Sequence, residues 1–410
     1  MLQRALATTA LLTVAPAVFA DGFFQDSSVV LDTRVLAYNR DWRSGTGQSF
    51  GRETASLTQL KFVSGFTPGL IGLGFDFDAM SAIKLDSSPS HSGVLLRTQK
   101  NGEANEFSGK VMPMLKARVS KTVLNIGDMV SYLPVLNYDG AVLPQVYHGA
   151  RITSNQIDGL TINAGRFSEV MNRSAVGYVP IQISTSNNSY KTLGRGEDFD
   201  YAGVEYTYRP LDVTGTYYFA RFENVYDQHY FNAVQNWALN SGKITGDLRA
   251  FDSKNQGSAL TGKVDNFLYS ALLRYQTQTQ LWSASYQRST GPTAFPFISG
   301  TDPYLTNYQL IGTFAQAGES SWKVQYEFNL RRFGLPGLSI SNMYIKGTGI
   351  KETGYTGNEW ERDLDVTYTF DRNGPFKGLR LKWRNGTYRT NFTRNIDENR
   401  LFIFYTIALK

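Results

Sequence analysis

The chain of 410 residues contains no cysteine, which removes disulfide frameworks and thiolate chemistry. It has only three histidines, His91, His148 and His229. They share no spacing typical of a metal site and no serine and aspartate context typical of a hydrolase. We therefore expect a protein that is not an enzyme and that holds no cofactor and no metal.

Long apolar runs are also missing, because no stretch after the first twenty residues approaches the roughly 18 apolar residues that a membrane helix needs. The N terminus combines Arg4, an apolar run of about ten residues, and small residues at Val18 and Ala20. This pattern predicts a secretory signal peptide over 1–20 and a mature chain over 21–410. A mature chain that enters a membrane must then do so as strands.

Blocks of like charge do not occur, although 41 basic residues outnumber 35 acidic ones and the isoelectric point is about 9.2. Because the bases are spread through the chain, we expect no nucleic-acid partner. Aromatic residues make up 14% of the chain, glycine is abundant, and the mean hydropathy is −0.30. This combination is typical of a barrel that exposes only alternate residues to lipid.

Segments of alternating polarity recur along the whole chain. In residues 70–79, for example, apolar side chains alternate with a face that carries Asp76 and Asp78. The pattern predicts an all-β fold, a transmembrane antiparallel β-barrel of about 18 strands, with short periplasmic turns and long extracellular loops. Residues 80–109 and 347–360 are among the predicted loops.

One strand near the C terminus decides which face of the wall meets lipid. It divides into an apolar face and a basic face: Leu379, Leu381 and Trp383 against Arg380, Lys382 and Arg384. A lipid-facing Arg or Lys at the bilayer midplane costs about 2–4 kcal/mol. Three such residues would cost on the order of the net stability of a domain. The basic face must therefore line a lumen, which is wide enough to hold water in barrels of about 16 or more strands.

The wall also offers a way to neutralise this basic face. If the turn over 371–378 places Phe370 opposite Leu379, Asp365 falls opposite Arg384 on the neighbouring strand. Opposite charges at such positions attract each other. Arg384 is then partly neutralised within the wall.

The predicted loop over 128–147 is too apolar for a solvated surface loop, so it needs burial. We expect it to fold into the barrel mouth as a constriction; the alternative is a loop that covers an outer rim or a partner subunit. The candidate constriction residues are Ser131, Leu133, Tyr138 and Asp139. An acidic Asp128 or Asp139 opposite the basic wall would create a transverse field that aligns zwitterions.

Several motifs resemble those of the OprD family of substrate-specific outer-membrane porins, and the similarity spans the mature chain. These motifs are 31–34 with 38–43, 133–136 with 143–144, 154–160, 334–337, 359–365, 383–385 and 397–400. The resemblance implies an 18-stranded monomeric barrel, a constricting third loop, and a ladder of basic side chains that guides carboxylate-bearing nutrients.

The family pattern implies a ladder that consists of Arg34, Arg43, Arg380, Lys382, Arg384 and Arg400. Lys116 and Arg118 are added to it because side-chain alternation along their strand points them into the lumen. The chain departs from the family in two places. Members often carry a basic residue where this chain has Met343, so the ladder has one basic residue fewer than in those members. The chain also ends in Lys410 rather than in an aromatic residue.

These features together predict a passive channel in the bacterial outer membrane for small water-soluble nutrients that bear a carboxylate. Fixed positive charge along a narrow wall concentrates anions, and successive bases bind them without trapping them. The alternatives are a general-diffusion porin with a weak anion preference and a channel that prefers basic amino acids. The expected partners are outer-membrane lipid, lipopolysaccharide, and small carboxylates or amino acids, with the protein as a monomer or a weak trimer.

Overall fold

The computed structural model describes residues 22–410 apart from 139–142, 174, 187–188, 191–193, 353 and 372. The predicted signal peptide over 1–20 and the candidate residue Asp139 therefore lie outside the described residues. Within the described part of the chain, no helix is both long enough and apolar enough to cross a membrane.

The described residues form nineteen strands. Their bounds are β1 (Ser28–Trp42), β2 (Phe50–Val63), β3 (Gly72–Asp86), β4 (Phe107–Val119), β5 (Thr122–Met129), β6 (Val146–Ser154), β7 (Leu160–Met171), β8 (Tyr178–Pro180), β9 (Phe199–Tyr208), β10 (Val213–Phe222), β11 (Tyr226–Leu239), β12 (Gly242–Asn255), β13 (Asp265–Gln276), β14 (Gln280–Thr290), β15 (Ser320–Asn329), β16 (Leu338–Glu352), β17 (Tyr355–Thr369), β18 (Leu379–Thr390) and β19 (Ile396–Ala408). The short β8 pairs with the end of β7, while β7 pairs directly with β9 along the wall. The wall thus consists of the other eighteen strands.

The wall is a closed antiparallel barrel, because β1 pairs with β19 from Val30 opposite Ala408 to Trp42 opposite Ile396. Closure leaves no unpaired strand edge, which a sheet surrounded by hydrocarbon cannot tolerate. The predicted barrel of about 18 strands is confirmed.

The two ends of the barrel differ, as expected for this architecture. Short turns such as 120–121 and 240–241 join strands at one end, and segments 87–106, 130–145, 172–198 and 291–319 emerge at the other.

The prediction of a loop over 347–360 is wrong, since β16 and β17 continue to Glu352 and Tyr355, which pair with each other. The physical reason is that alternation continues there, with Ile350 buried and Lys351 exposed. The predicted loop over 80–109 is likewise shorter, because β3 extends to Asp86 with Met80 and Ala82 buried on its inner face.

The two faces of the wall differ in chemistry. The outward face exposes large apolar side chains, including Leu73, Val111, Leu115, Leu124, Ile126, Ile152, Trp237, Trp282, Trp322, Trp383, Leu401 and Ile403. Charged residues on the inward face include Asp76, which pairs with Lys116, and Asp78, which accepts a hydrogen bond from Gln59. The outer face is therefore mainly apolar, and these charged groups of β3 and β4 face the interior, as the alternation predicts.

The interior is not evenly open. A cluster of buried aromatic side chains covers the inner faces of β6, β7 and β9–β13, with Tyr147, Phe167, Tyr201, Tyr218, Phe222, Tyr230 and Phe251 among its members. Loop residues such as Leu136, Ile183 and Phe295 pack onto the same cluster. This packing fills one side of the barrel and leaves the open space beside β15–β19 and β1.

Candidate functional site

The open space is a cavity of about 780 Å³ inside the barrel. Its wall comes from inward-facing residues of β1 and β15–β19, and its other sides come from segments 87–106, 172–198 and 291–319. The charged side chains that line it are Arg40, Arg173, Asp302, Asp363, Asp365, Arg384 and Arg400. A solute that crosses the barrel here meets mainly these groups.

Strand register places Arg384 between two charged neighbours. It lies opposite Asp365 of β17 on one side and Arg400 of β19 on the other. The guanidinium of Arg384 donates two hydrogen bonds to the Asp365 carboxylate, each 2.7 Å long. The Lys382 ammonium contacts the same carboxylate at 2.8 Å. The predicted pairing of Asp365 with Arg384 is thus present, and one acid is shared by two cations.

Arg400 belongs to a second cluster around Glu398, whose side chain is fully buried. The Glu398 carboxylate is contacted by Arg400 at 2.5 Å and by Arg40 at 2.6 Å, and it accepts a hydrogen bond from the Tyr38 hydroxyl. Sequence reasoning missed Arg40. Counting alternate residues from Arg34 along β1 reaches Tyr38 and Arg40, so strand parity could have found it.

The lumen position predicted for Arg43 is wrong. Arg43 pairs with Asp41 at 3.1 Å and with Asp397 at 2.8 Å. These two acids lie opposite each other on the face of the wall that Arg40 and Glu398 do not share. Alternation continued one residue past the end of β1 gives Arg43 the parity of Asp41, so it also places Arg43 on the outer face. The lumen position came from the family pattern and not from parity.

Two further bases of the predicted ladder lie toward the short turns. Arg380 and Arg34 flank Phe404 in register, and the Arg380 guanidinium lies 4.2 Å from the centre of the Phe404 ring. Arg34 contacts Asp32 at 3.4 Å. Neither residue lines the main cavity, but both share the inner face of the wall with Lys382, Arg384 and Arg400.

Lys116 and Arg118 are on the inner face of β4, as parity predicts, but they lie away from the cavity. Lys116 is only 8% exposed, and its ammonium contacts Asp76 at 2.5 Å and the Ser64 carbonyl at 2.7 Å. The Arg118 guanidinium lies 4.2 Å from the centre of the Phe66 ring. Lys116 is therefore neutralised by local contacts.

The described part of segment 128–147 packs inside the barrel. Leu133 and Leu136 join the aromatic cluster, and the Ser131 hydroxyl donates to the Leu136 carbonyl to close a tight turn. Tyr138 stacks on Tyr132 with ring centres 5.1 Å apart. None of the described residues of this segment lines the cavity, so its role as the constriction stays a prediction.

Asp128 does not lie opposite the basic wall. It contacts His148 at 2.8 Å, on the face of β5 that Leu124 and Ile126 expose to the outside. The hypothesis of a transverse field from Asp128 is therefore wrong, and the same hypothesis for Asp139 lies outside the described residues.

Segment 291–319 supplies the side of the cavity that faces the basic wall. Its backbone is held by the buried Glu361, whose carboxylate accepts hydrogen bonds from the amides of Ile311 at 2.9 Å and Gly312 at 2.7 Å. The Lys323 ammonium donates to the Thr306 carbonyl. Sequence reasoning missed this segment, although its apolar residues carry the same signal as those of 128–147.

Charged groups on segment 291–319 are themselves paired. The Tyr308 hydroxyl donates to Asp302 at 2.8 Å, and Arg173 contacts Asp302 at 3.1 Å. Burial and the neighbouring Asp302 carboxylate raise the pKa of Tyr308 above its ordinary value. The hydroxyl therefore remains a hydrogen-bond donor at neutral pH.

A closed wall of eighteen strands, apolar outside and charged around an internal cavity, defines an outer-membrane pore. The chain belongs to the OprD family of outer membrane porins, whose family model matches residues 21–409. It is accordingly a channel of the bacterial outer membrane for small molecules, and not an enzyme.

Three relatives illustrate the similarity. The porin-like protein GalP of Pseudomonas putida is 30% identical over 395 residues, which cover 95% of this chain and 94% of GalP. The crystal structure of OccK9 (OpdG) from Pseudomonas aeruginosa is 31% identical, with a TM-score of 0.91 over 95% of this chain and 100% of that chain. The crystal structure of OpdK with vanillate, also from Pseudomonas aeruginosa, is 29% identical, with a TM-score of 0.88 over 94% and 100% of the two chains.

Proposed function

We propose that this porin conducts small carboxylates, which bind to Arg384 and Arg400 on the cavity wall. The observation that carries the proposal is the sharing of acids: Asp365 is contacted by Lys382 and Arg384, and Glu398 by Arg40 and Arg400. Two carboxylates cannot neutralise four cations. The surplus positive charge faces a low-dielectric, partly enclosed space, where it attracts anions more strongly than in bulk water.

The apolar residues that line the cavity favour carboxylates that also carry an apolar group. Leu36 and Phe402 of the wall, and Leu310 and Ile311 of segment 291–319, line the same cavity as the two arginines. An aromatic or alkyl chain can bury its surface there while its carboxylate contacts a guanidinium. Vanillate, named in the crystal structure of the relative OpdK, is an aromatic carboxylate and supports the same class.

Passage is stepwise and passive. Bases on the inner face recur from Arg400 and Arg384 through Lys382 to Arg380 and Arg34 toward the short turns. Residues two apart on a strand are separated by about 7 Å. An anion can therefore contact one base before it leaves the previous one, which allows binding without trapping. In this proposal segment 291–319, together with 128–147, narrows the path.

Planar-bilayer conductance and liposome flux test this proposal, with butyrate and benzoate as probes and butylamine as the cationic counterpart. One unit of charge about 4 Å from a solute in water is worth about 1 kcal/mol, or roughly a fivefold change. We expect Arg384→Gln and Arg400→Gln each to lower carboxylate flux by about that factor and to reduce its saturation.

The matched control is Arg43→Gln, which removes an arginine from the outer face and leaves flux unchanged. Flux that depends on solute size alone, in the native protein and in both lumen variants, would show a general-diffusion porin instead. A preference for arginine or lysine over butyrate would show a channel for basic amino acids.

A further inference from the structure

Asp363 is an acidic group on the cavity wall without an ion-pair partner among the described residues. Strand register places it between Met343 of β16 and Gly386 of β18. Neither neighbour offers a charge or a side-chain hydrogen-bond donor. Asp363 is 6% exposed, and its Oδ1 atom is buried and accepts no hydrogen bond from the described part of the chain.

Other acids close to Asp363 are paired with cations, whereas no cation contacts Asp363 among the described residues. Asp365 forms ion pairs with Lys382 and Arg384. Glu398, which lies opposite Gly386 on the next strand, forms ion pairs with Arg40 and Arg400. Glu361, two residues away on the same face, accepts two backbone amides and lies within hydrogen-bonding reach of Asp363. Even if Glu361 and Asp363 share one proton, the pair keeps one negative charge at the cavity.

Asp363 also lies close to the basic wall. Asp363 is opposite Gly386, and Arg384 is two residues from Gly386 on the same strand. Neighbouring strands are about 4.8 Å apart and two residues span about 7 Å, so the two Cα atoms are separated by roughly 8 Å. A short solute whose carboxylate binds Arg384 or Arg400 can therefore present a second group, a few bonds away, to Asp363.

We infer that Asp363 forms a second subsite, which binds the ammonium group of short amino-substituted carboxylates while the wall arginines bind their carboxylate. An acceptor buried without a partner gains most from a charged donor. This inference rests on the proposed function, since it needs the carboxylate to be held by Arg384 and Arg400. It adds that the pore favours zwitterions over the matching simple anions.

Met343 makes this subsite possible. It lines the cavity directly across from Asp363, and its thioether side chain leaves the carboxylate uncompensated. A lysine at position 343 would place an ammonium beside Asp363, as opposite charges across neighbouring strands attract each other. The chain would then supply the cation that the solute supplies in the native protein.

The test compares butyrate with 4-aminobutyrate, which share a carbon chain and differ by the ammonium group. We expect the native protein to conduct 4-aminobutyrate faster than butyrate in liposome flux assays. Asp363→Asn and Met343→Lys should each lower the ratio of the two fluxes by roughly fivefold, the effect of one nearby unit charge. Met343→Leu keeps the apolar packing and should leave the ratio unchanged.

Gln325→Lys is the charge-matched control, because Gln325 lines the cavity across from Met343 on the side away from Asp363. It adds the same charge to the cavity without facing Asp363, so it should lower the ratio of the two fluxes less than Met343→Lys does. A heat-dependent shift in electrophoretic mobility reports whether each variant forms the barrel. If Asp363→Asn does not assemble, the flux ratio of Met343→Lys alone tests the inference.

The outcomes separate the two proposals. An unchanged flux ratio in Met343→Lys and Asp363→Asn, with butyrate flux still lowered by Arg384→Gln, would overturn the inference and leave the proposed function standing. Butyrate flux that does not respond to Arg384→Gln would overturn the proposed function itself. A ratio lowered by Asp363→Asn and Met343→Lys, lowered less by Gln325→Lys and unchanged in Met343→Leu, supports the subsite.

Discussion

Asp365 accepts two hydrogen bonds from the guanidinium of Arg384, each 2.7 Å long, and a third contact from Lys382 at 2.8 Å. The acid lowers the charge that these two bases present to the cavity. It also fixes the Arg384 side chain against the wall, since a bidentate contact restricts the plane of the guanidinium.

The first prediction concerns this pair. Asp365→Asn removes the negative charge and leaves Arg384 and Lys382 uncompensated, so the preference for anions over cations should rise by roughly fivefold. Reversal potentials in a salt gradient measure this preference. Asp41→Asn is the matched control, because Asp41 contacts Arg43 on the outer face. A shift toward cations in Asp365→Asn would contradict the prediction.

The second prediction concerns Glu53, which holds segment 87–106 inside the barrel. Its buried carboxylate accepts hydrogen bonds from the amides of Val94, Leu95 and Leu96 at 2.5–3.1 Å. Hydrogen bonds to a charged group are each worth about 1.5–3 kcal/mol. Glu53→Gln should therefore speed amide hydrogen exchange in this segment by tenfold or more.

Glu103→Gln changes an exposed acid of the same segment and serves as the control for Glu53→Gln. Equal exchange rates in the two variants would show that the segment is held by other contacts.

The third prediction concerns pH and Glu319, at the end of segment 291–319. Burial and the neighbouring Glu359 carboxyl group raise the pKa of Glu319 above its ordinary value. A raised acid pKa means that the docked state binds more protons than the undocked state. The contribution to docking is therefore complete below the ordinary glutamate pKa of about 4.3 and falls as the pH rises above it.

Limited proteolysis of segment 291–319 between pH 5 and pH 9 measures this effect. We expect cleavage to increase with pH in the native protein and to depend less on pH in Glu319→Gln, which keeps a neutral side chain. Cleavage that decreases as the pH rises would contradict the sign of the effect.

The fourth prediction concerns Gly386, beside Asp363. A Cβ atom at this position would lie 2.9 Å from Leu310 Cδ2 and 3.3 Å from Ile311 Cδ1, closer than normal van der Waals contact. Gly386→Ala should displace the tip of segment 291–319 toward the cavity and lower single-channel conductance. Gly215→Ala is the control, because a Cβ at Gly215 meets no atom within 4 Å. Equal conductance in the two variants would count against this contact.

Much of the fold could be predicted from side-chain parity. A charged side chain that faces hydrocarbon carries a large free-energy cost, so its position identifies the face of the strand that lines the lumen. The residues that identified it in this way are Asp76, Asp78, Arg380, Lys382 and Arg384. Parity works only within strands. It therefore assigned Lys116 to the correct face without showing that Asp76 neutralises it. The lumen position of Arg43 came from the family pattern, whereas alternation along β1 gives Arg43 the outer face that it occupies.

The cavity itself was less predictable. Segments 128–147 and 291–319 both carry apolar residues that need burial, and the sequence offers no basis for deciding which one borders the pore. That choice depends on contacts between residues far apart in the chain, such as Glu361 with the amide of Ile311.

The sequence alone determined a membrane-spanning barrel and the face on which its bases lie, because alternation and the cost of charge in lipid are local properties of each strand. The sequence also predicted the pair of Asp365 and Arg384 on neighbouring strands. Only the tertiary structure decided which other acids neutralise which bases and which segments enclose the cavity. Those relationships arise from barrel closure and inward packing, which bring Arg40 of β1 beside Glu398 of β19 across almost the entire length of the chain.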